Sequence, residues 1–262
     1  MPVKKISAKK TARKKSPRKN KIDDSFPGFP KDFVRFFKEL KNNNNREWFA
    51  ENKLRYKQSI VVPLCDFIVA MGPRLEKISN CYVADGRANG GSMFRIYRDV
   101  RFSKDKRPYK EHAACHFRHE AGKDAHAPGF YLHIEPDEVR IGGGIWMPPN
   151  THLDKIRQAI VEKPQQWKKI TGSVTFKKYF NSVMGDGLKR PPRGFDKEHP
   201  LIEDLKRKSF FAMHKVAVKE IYTPQFIVEV ERTFKALSPM LEFLTLALDL
   251  PYSRSKRPIG FI

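Results

Sequence analysis

Ala113-Ala-Cys-His-Phe-Arg118, Phe130-Tyr-Leu-His-Ile134 and Val139-Arg-Ile-Gly-Gly-Gly-Ile-Trp146 decide the fold class. In all three the apolar residues recur with a period near two. Gly, Pro and Asp crowd the connections between them, which is the pattern of antiparallel strands joined by short turns. With a further stretch at 94–97, they predict a central meander of about four or more strands.

The period changes to that of a helix on both sides. Upstream, Phe33, Phe36, Phe37 and Leu40 recur at helical spacing, and the pattern stops at the asparagine run 42–45. Asn45 is placed to cap a second, longer helix with Trp48, Phe49, Leu54 and Tyr56 as inward positions before Pro63. A further helix through Leu75 carries Phe67, Ile68 and Met71. Downstream, helices are expected over 151–162, 201–211 and 224–248, the last with Phe226, Val230, Phe234, Leu237, Leu241 and Leu244 inward. The fold class is therefore α+β, a central antiparallel sheet flanked by N- and C-terminal helices.

Charge is the strongest compositional signal. The 262 residues carry 52 Lys/Arg against 29 Asp/Glu, a formal charge of +23, with a sequence pI near 10.0. Such a balance points to acidic partners: nucleic acid, anionic lipid or acidic protein. Residues 1–22 hold ten of the cations and no acid, leaving 42 basic and 29 acidic residues, a net +13, in the rest of the chain. Beyond the initiator Met, the first twenty residues have only Val3 and Ile6 as aliphatic side chains larger than Ala, too little apolar surface to offset ordering entropy. This reads as a disordered basic tail that binds phosphate backbones without sequence preference. A solubility tail and a mitochondrial-type presequence are the alternatives. Residues 23–250 read as a single domain and 251–262 as a flexible C-terminal tail.

Cys65, Cys81 and Cys115 have no CxxC spacing and no even pairing, against both a disulfide framework and a zinc knuckle. With no secretory signal and no run of roughly 18 apolar residues, the expectation is a cytoplasmic protein that does not act in a membrane.

The candidate chemistry concentrates in Phe94-Arg-Ile-Tyr-Arg-Asp-Val-Arg-Phe-Ser-Lys-Asp-Lys-Arg-Pro-Tyr-Lys110. Seven cations surround Asp99 and Asp105, so guanidinium forks stand beside fixed carboxylates, a way to build an anion pocket. Arg95, Arg98, Asp99, Arg101, Phe102, the pair Asp105-Lys106, and Tyr109 also form a recognisable pattern. On it, and on Asn45-Arg-Glu-Trp-Phe49, Gly142-Gly-Gly-Ile-Trp146 and Leu188-Lys-Arg-Pro-Pro-Arg-Gly-Phe-Asp196, the chain resembles domain-of-unknown-function family 2461, a mainly bacterial family. The resemblance spans most of the chain from Phe26 to Leu250, leaves the basic tail outside, and implies no mechanism.

The second cluster repeats cations around a rigid Pro-Pro elbow. If the loops converge, Arg95, Arg98, Arg101, Lys106, Lys189, Arg190 and Arg193 form an anion-binding clamp for a nucleic-acid backbone or a phosphorylated small molecule. An enzyme on a small anionic substrate is the alternative, with Asp99 as orienter or base and Tyr109 or His112 as proton donor. In a third reading the Arg-Asp pairs only fasten a loop to the body. His112, His116, His133 and Glu135 invite comparison with a metal site, but His112 and His116 lie about 13 Å apart along a strand. Neither a metal nor a cofactor is expected. Gly142, Gly143 and Gly144 do not open a helix, so they fail the context of a phosphate loop. A bulge or close strand packing explains them, as does a flat surface for a substrate beside Trp146.

Overall fold

The computed structural model describes residues 25–121 and 127–253, so the basic tail lies outside the described residues. The chain enters through Phe26 and Phe29, whose rings pack on Phe67 and Phe226. Helix α1 (Asp32–Asn42) buries Phe33, Phe36, Phe37 and Leu40, the stripe read from spacing. The asparagine run ends it, and each residue after Asn42 has its own task. Asn43 donates to the Glu39 carbonyl, Asn44 reaches the central region of the chain, and Asn45 caps α2 (Arg46–Glu51) by accepting from the Trp48 N–H at 2.9 Å.

The long helix expected after Asn45 is broken. Helix α3 (Lys53–Tyr56) opens into a π-helical turn (Lys57–Val61) before α4 (Val62–Glu76). Pro63 supplies the reason: it has no N–H for the carbonyl four residues earlier, and the widened turn sits where that bond would fall. By length and composition the whole run Lys53–Glu76 is long and apolar enough to cross a membrane. Its Ile60, Leu64, Phe67, Ile68, Met71 and Leu75 are instead packed into the protein core.

Arg55 ties these helices together. It donates to Asp32 at 2.9 and 2.6 Å and to Glu39 at 2.5 Å, while the Ser59 hydroxyl donates to Asp32 at 2.8 Å. The Arg55 bonds hold both carboxyls below their ordinary range. Arg55→Met leaves two half-buried carboxylates facing each other, and a loss of about 2 kcal/mol is expected in urea denaturation.

The sheet has the order β1-β2-β3-β4, all antiparallel: β1 (Ala113–Arg118), β2 (Gly129–Ile134), β3 (Val139–Ile145) and β4 (Phe210–Val216). The meander is as read, with two corrections. Residues 94–97 do not form a strand; they follow the β1 edge through isolated bridges, Met93 with Cys115 and Tyr97 with Tyr109, whose registers differ by two residues. The fourth strand comes from Phe210–Val216, whose beginning was expected in a helix over 201–211. Only Ile202–Leu205 of that span is helical, as α8.

Between β3 and β4 the chain forms α5 (Asn150–Glu162), α6 (Pro164–Gly172) and α7 (Val174–Phe180). Buried Arg157 on α5 donates to the carbonyls of Leu205 and Arg207 and so fixes the approach to β4. Helix α9 (Gln225–Ala247) lies on one face of the sheet, its Phe234 ring 4.6 Å from Phe130 and 5.8 Å from Phe117. Past α9 the chain stays attached through residue 253: the carbonyl of Pro251 meets His119 Nε2 at 2.7 Å and that of Ser253 accepts from the Asn80 N–H.

Candidate functional site

The Arg-rich motif folds as an irregular hairpin off the β1 edge. Phe94 N–H donates to Ala114 O, Lys110 N–H to Ile96 O and Arg98 N–H to Pro108 O, so residues 92–98 run antiparallel to 108–116 with 99–107 as the tip. Asn44 anchors its base by exchanging hydrogen bonds with the Tyr109 peptide group, 3.0 and 3.1 Å, and the Tyr109 ring stacks on Phe49 at 4.0 Å.

Three of the seven residues of the expected anion clamp, Arg98, Arg101 and Lys106, are occupied from within. Arg101 forks onto Asp99 at 3.0 and 2.7 Å. Arg107 forks onto Asp105 at 3.0 and 2.7 Å and reaches Glu111 at 2.5 Å. Arg98 donates to Asp105 at 2.8 Å and to the Arg107 carbonyl, and Lys106 donates to the Val100 carbonyl. The Arg101 bond holds the Asp99 carboxyl below its ordinary range, and Arg107 does the same to Asp105. Asp99 is therefore a poor proton acceptor. Tyr109 is buried as a packing ring, and desolvation raises its phenol pKa. Arg95 and Lys104 are exposed, with no ion pair among the described residues.

The second basic cluster does not converge with the first. Met184 bridges Phe211, and Gly187 bridges Arg207, so Lys189, Arg190 and Arg193 hang from the β4 side while the hairpin hangs from β1. The four strands alone separate the two edges by about 14 Å.

A third arrangement lies between them, on the sheet face away from α9. Phe94, His116, Arg118, Tyr131, His133, Arg140, Met213 and Phe211 point to this side, opposite Cys115, Phe117, Phe130 and Leu132 in the core. Trp146, 62% exposed, continues it at the β4 edge with its ring 5.2 Å from Phe211. Here the cations have different partners. Lys110 Nζ donates to the Arg95 carbonyl at 2.8 Å and lies 5.5 Å from the Phe94 ring; Arg118 lies 6.0 Å from the same ring. Neither makes an ion pair among the described residues, and Arg118 Nε is buried with no hydrogen-bond partner. Desolvation, then the nearby Arg95 charge, depresses the Lys110 amine. The motif readily reveals Lys110, but Arg118 sits in an ordinary strand pattern and only the fold brings it to Phe94.

Histidines fill the rest of this face. His112 and His133 are 4.3 Å apart, ring centre to centre, and His133 Nδ1 shares a hydrogen bond with the Tyr131 hydroxyl at 3.1 Å. His133 Nε2 is 3.7 Å from Glu135 Oε1. Burial lowers His112, His116 and His133 to about 4, with a smaller contribution from His133, Arg118 and Arg140 respectively. Among the described residues no three His, Cys, Asp or Glu side chains are grouped to hold an ion. Buried Cys115 has its thiol pushed up by desolvation, which removes it as a nucleophile.

Cavities are small where the chemistry is dense. A void of about 10 Å³, room for one water at most, is lined by His112, Phe94 and Tyr56. A groove of about 440 Å³ lies between the end of β4 and α9, lined by Val216, Glu220, Phe226, Glu229 and Arg232, away from Arg98.

No curated protein matches the chain. A family model described as "Conserved hypothetical protein (DUF2461)" matches residues 32–243, from the first residue of α1 to near the end of α9. The hairpin, the sheet face and the second basic loop all lie inside that match, and the chain belongs to the DUF2461 family.

Proposed function

We propose that this protein binds phosphate-bearing polymers, with a single nucleic-acid strand lying across the outer sheet face. The observation that carries the reading is the pair Lys110 and Arg118, half-sheltered cations packed on Phe94 with no carboxylate paired to them among the described residues. Cations that have given up water without gaining an acid favour an anionic ligand, and aromatic rings beside them offer stacking surfaces to bases. Phe94, Tyr131, Phe211 and Trp146 supply such rings across the face. The two basic loops at opposite edges then serve as phosphate contacts where a strand enters and leaves. The basic tail adds ten more cations. By contrast the forks of Arg98 and Arg107 favour a bracing role for those two residues.

Fluorescence anisotropy with labelled oligouridylate tests this. Affinity is expected to fall steeply between about 50 and 200 mM salt, and deletion of residues 2–22 to remove most of the non-specific part. In the shortened protein, Lys110→Met with Arg118→Met is expected to weaken the remainder roughly tenfold, and to quench less of the Trp146 fluorescence on binding. Unchanged affinity in the double variant, or no binding by the shortened protein, refutes the sheet-face reading.

A further inference from the structure

We propose that the hairpin tip is a stacking wedge: Phe102 inserts between neighbouring bases of the bound strand, with Lys104 and the Nη1 edge of Arg101 that its fork with Asp99 leaves open against the flanking phosphates. The inference rests on the nucleic-acid reading above and names a contact outside the sheet face. Phe102 is 95% exposed. Holding a phenyl ring in water forgoes the gain of burying it, and a loose loop would fold it back onto apolar surface.

This tip is braced against that. Asp99 and Arg101 form one i, i+2 fork and Asp105 and Arg107 another, one on each shoulder of 102–104. Each aspartate also accepts the backbone N–H of its own arginine, at 3.3 and 3.1 Å. Lys106 Nζ crosses the loop to Val100 O, and Arg98 pins Asp105 from the stem. The structure therefore presents Phe102 at the end of a loop tied at both shoulders.

The surroundings select the occupant. Residues 94–110 hold seven cations and two acids, a net +5, and the Arg101 guanidinium lies 5.9 Å from the Phe102 ring centre. A planar apolar face beside delocalised cations suits a base and its phosphate. One phenyl group with a few cations gives a bilayer only a marginal hold.

The test places a 2-aminopurine, which brightens when unstacked from its neighbours, at successive positions of a short oligonucleotide bound by the full chain. A rise at one position is expected, lost in Phe102→Ala and kept in Phe102→Trp, with affinity down about fivefold or more in the alanine variant. Because the ring is 95% exposed and meets only the exposed Arg101 guanidinium among the described residues, the melting temperature of Phe102→Ala should match wild type. Tight binding with no fluorescence change at any position, and with Phe102→Ala binding like wild type, overturns the wedge and leaves the sheet-face reading standing. Failure of the wild type to bind any oligonucleotide overturns both. Phe102-dependent pelleting with phosphatidylserine vesicles, without oligonucleotide binding, reassigns the tip to a membrane and also refutes the wedge.

Discussion

Gly144→Ala is expected to destabilise the protein by at least about 3 kcal/mol, lowering the melting temperature by roughly 10 °C, if it folds at all. Gly144 has φ of +139°, which side chains rarely adopt, and a Cβ there would stand 2.1 Å from Phe210 O and 2.4 Å from Phe211 Cα. Both are backbone atoms of β4, which can retreat only by giving up ladder hydrogen bonds. The neighbours repeat the constraint: a Cβ on Gly142 would meet Ala212 O at 2.0 Å and one on Gly143 would meet Gly129 O at 2.2 Å. The three glycines thus let β2 and β4 close on β3 from either side. Their Cβ positions are filled by neighbouring backbone, so strand packing, not a bed for a flat substrate, explains the run. Gly172→Ala is the control, since a Cβ at the end of α6 meets nothing within 4 Å and should change stability by less than about 0.5 kcal/mol. Urea denaturation of the two variants checks this, and wild-type stability for Gly144→Ala would show that the strands can part without cost.

What the sequence discloses about this protein depends on how local each cause is. The α1 stripe, the Asn45 cap and α9 follow from helical spacing and one side-chain bond, and all are present. Strands β1 to β3 follow from alternation. Phe210-Phe-Ala-Met-His-Lys-Val216 was harder, because Ala, Met and Lys favour a helix in isolation while pairing with β3 overrides that preference. The site divides along the same line. The Asp-x-Arg spacing at 99–101 and 105–107, present again at 85–87, is a local signal that a guanidinium will fold onto its own carboxylate. It is the local signal behind the third reading of the sequence, in which Arg-Asp pairs fasten a loop. That Arg118 meets Phe94 with a buried Nε unpaired is a product of strand register across the β1 edge. No one-dimensional pattern carries it. The separation of the two basic loops likewise comes from strand order, which composition does not encode.

Acid is expected to unfold this protein from below about pH 6.5 rather than only in the carboxylate range near 4. His112, His116 and His133 are held neutral by burial, their pKa lowered to about 4 in the fold. In the unfolded chain they titrate near 6.5. Between those values the unfolded state binds more protons, so stability is greatest above about 6.5, falls with pH, and stops falling from this cause near 4. Three neutral imidazoles would give about 4 kcal/mol per pH unit; with His112 and His133 partly open to water, on the order of 3 is expected near pH 5. The pH window, not the sign, separates the histidines from Asp32 and Glu39: their depressed carboxyls also lose stability as pH falls, but only at lower pH, as they protonate. Urea midpoints followed from pH 7 to pH 4 read the proton uptake directly. His116→Leu, which keeps a buried apolar side chain beside Gly129, should reduce that uptake by about one proton. A flat profile down to pH 5 would mean that the imidazoles reach water in the folded state, and that the outer sheet face is more open than its packing implies.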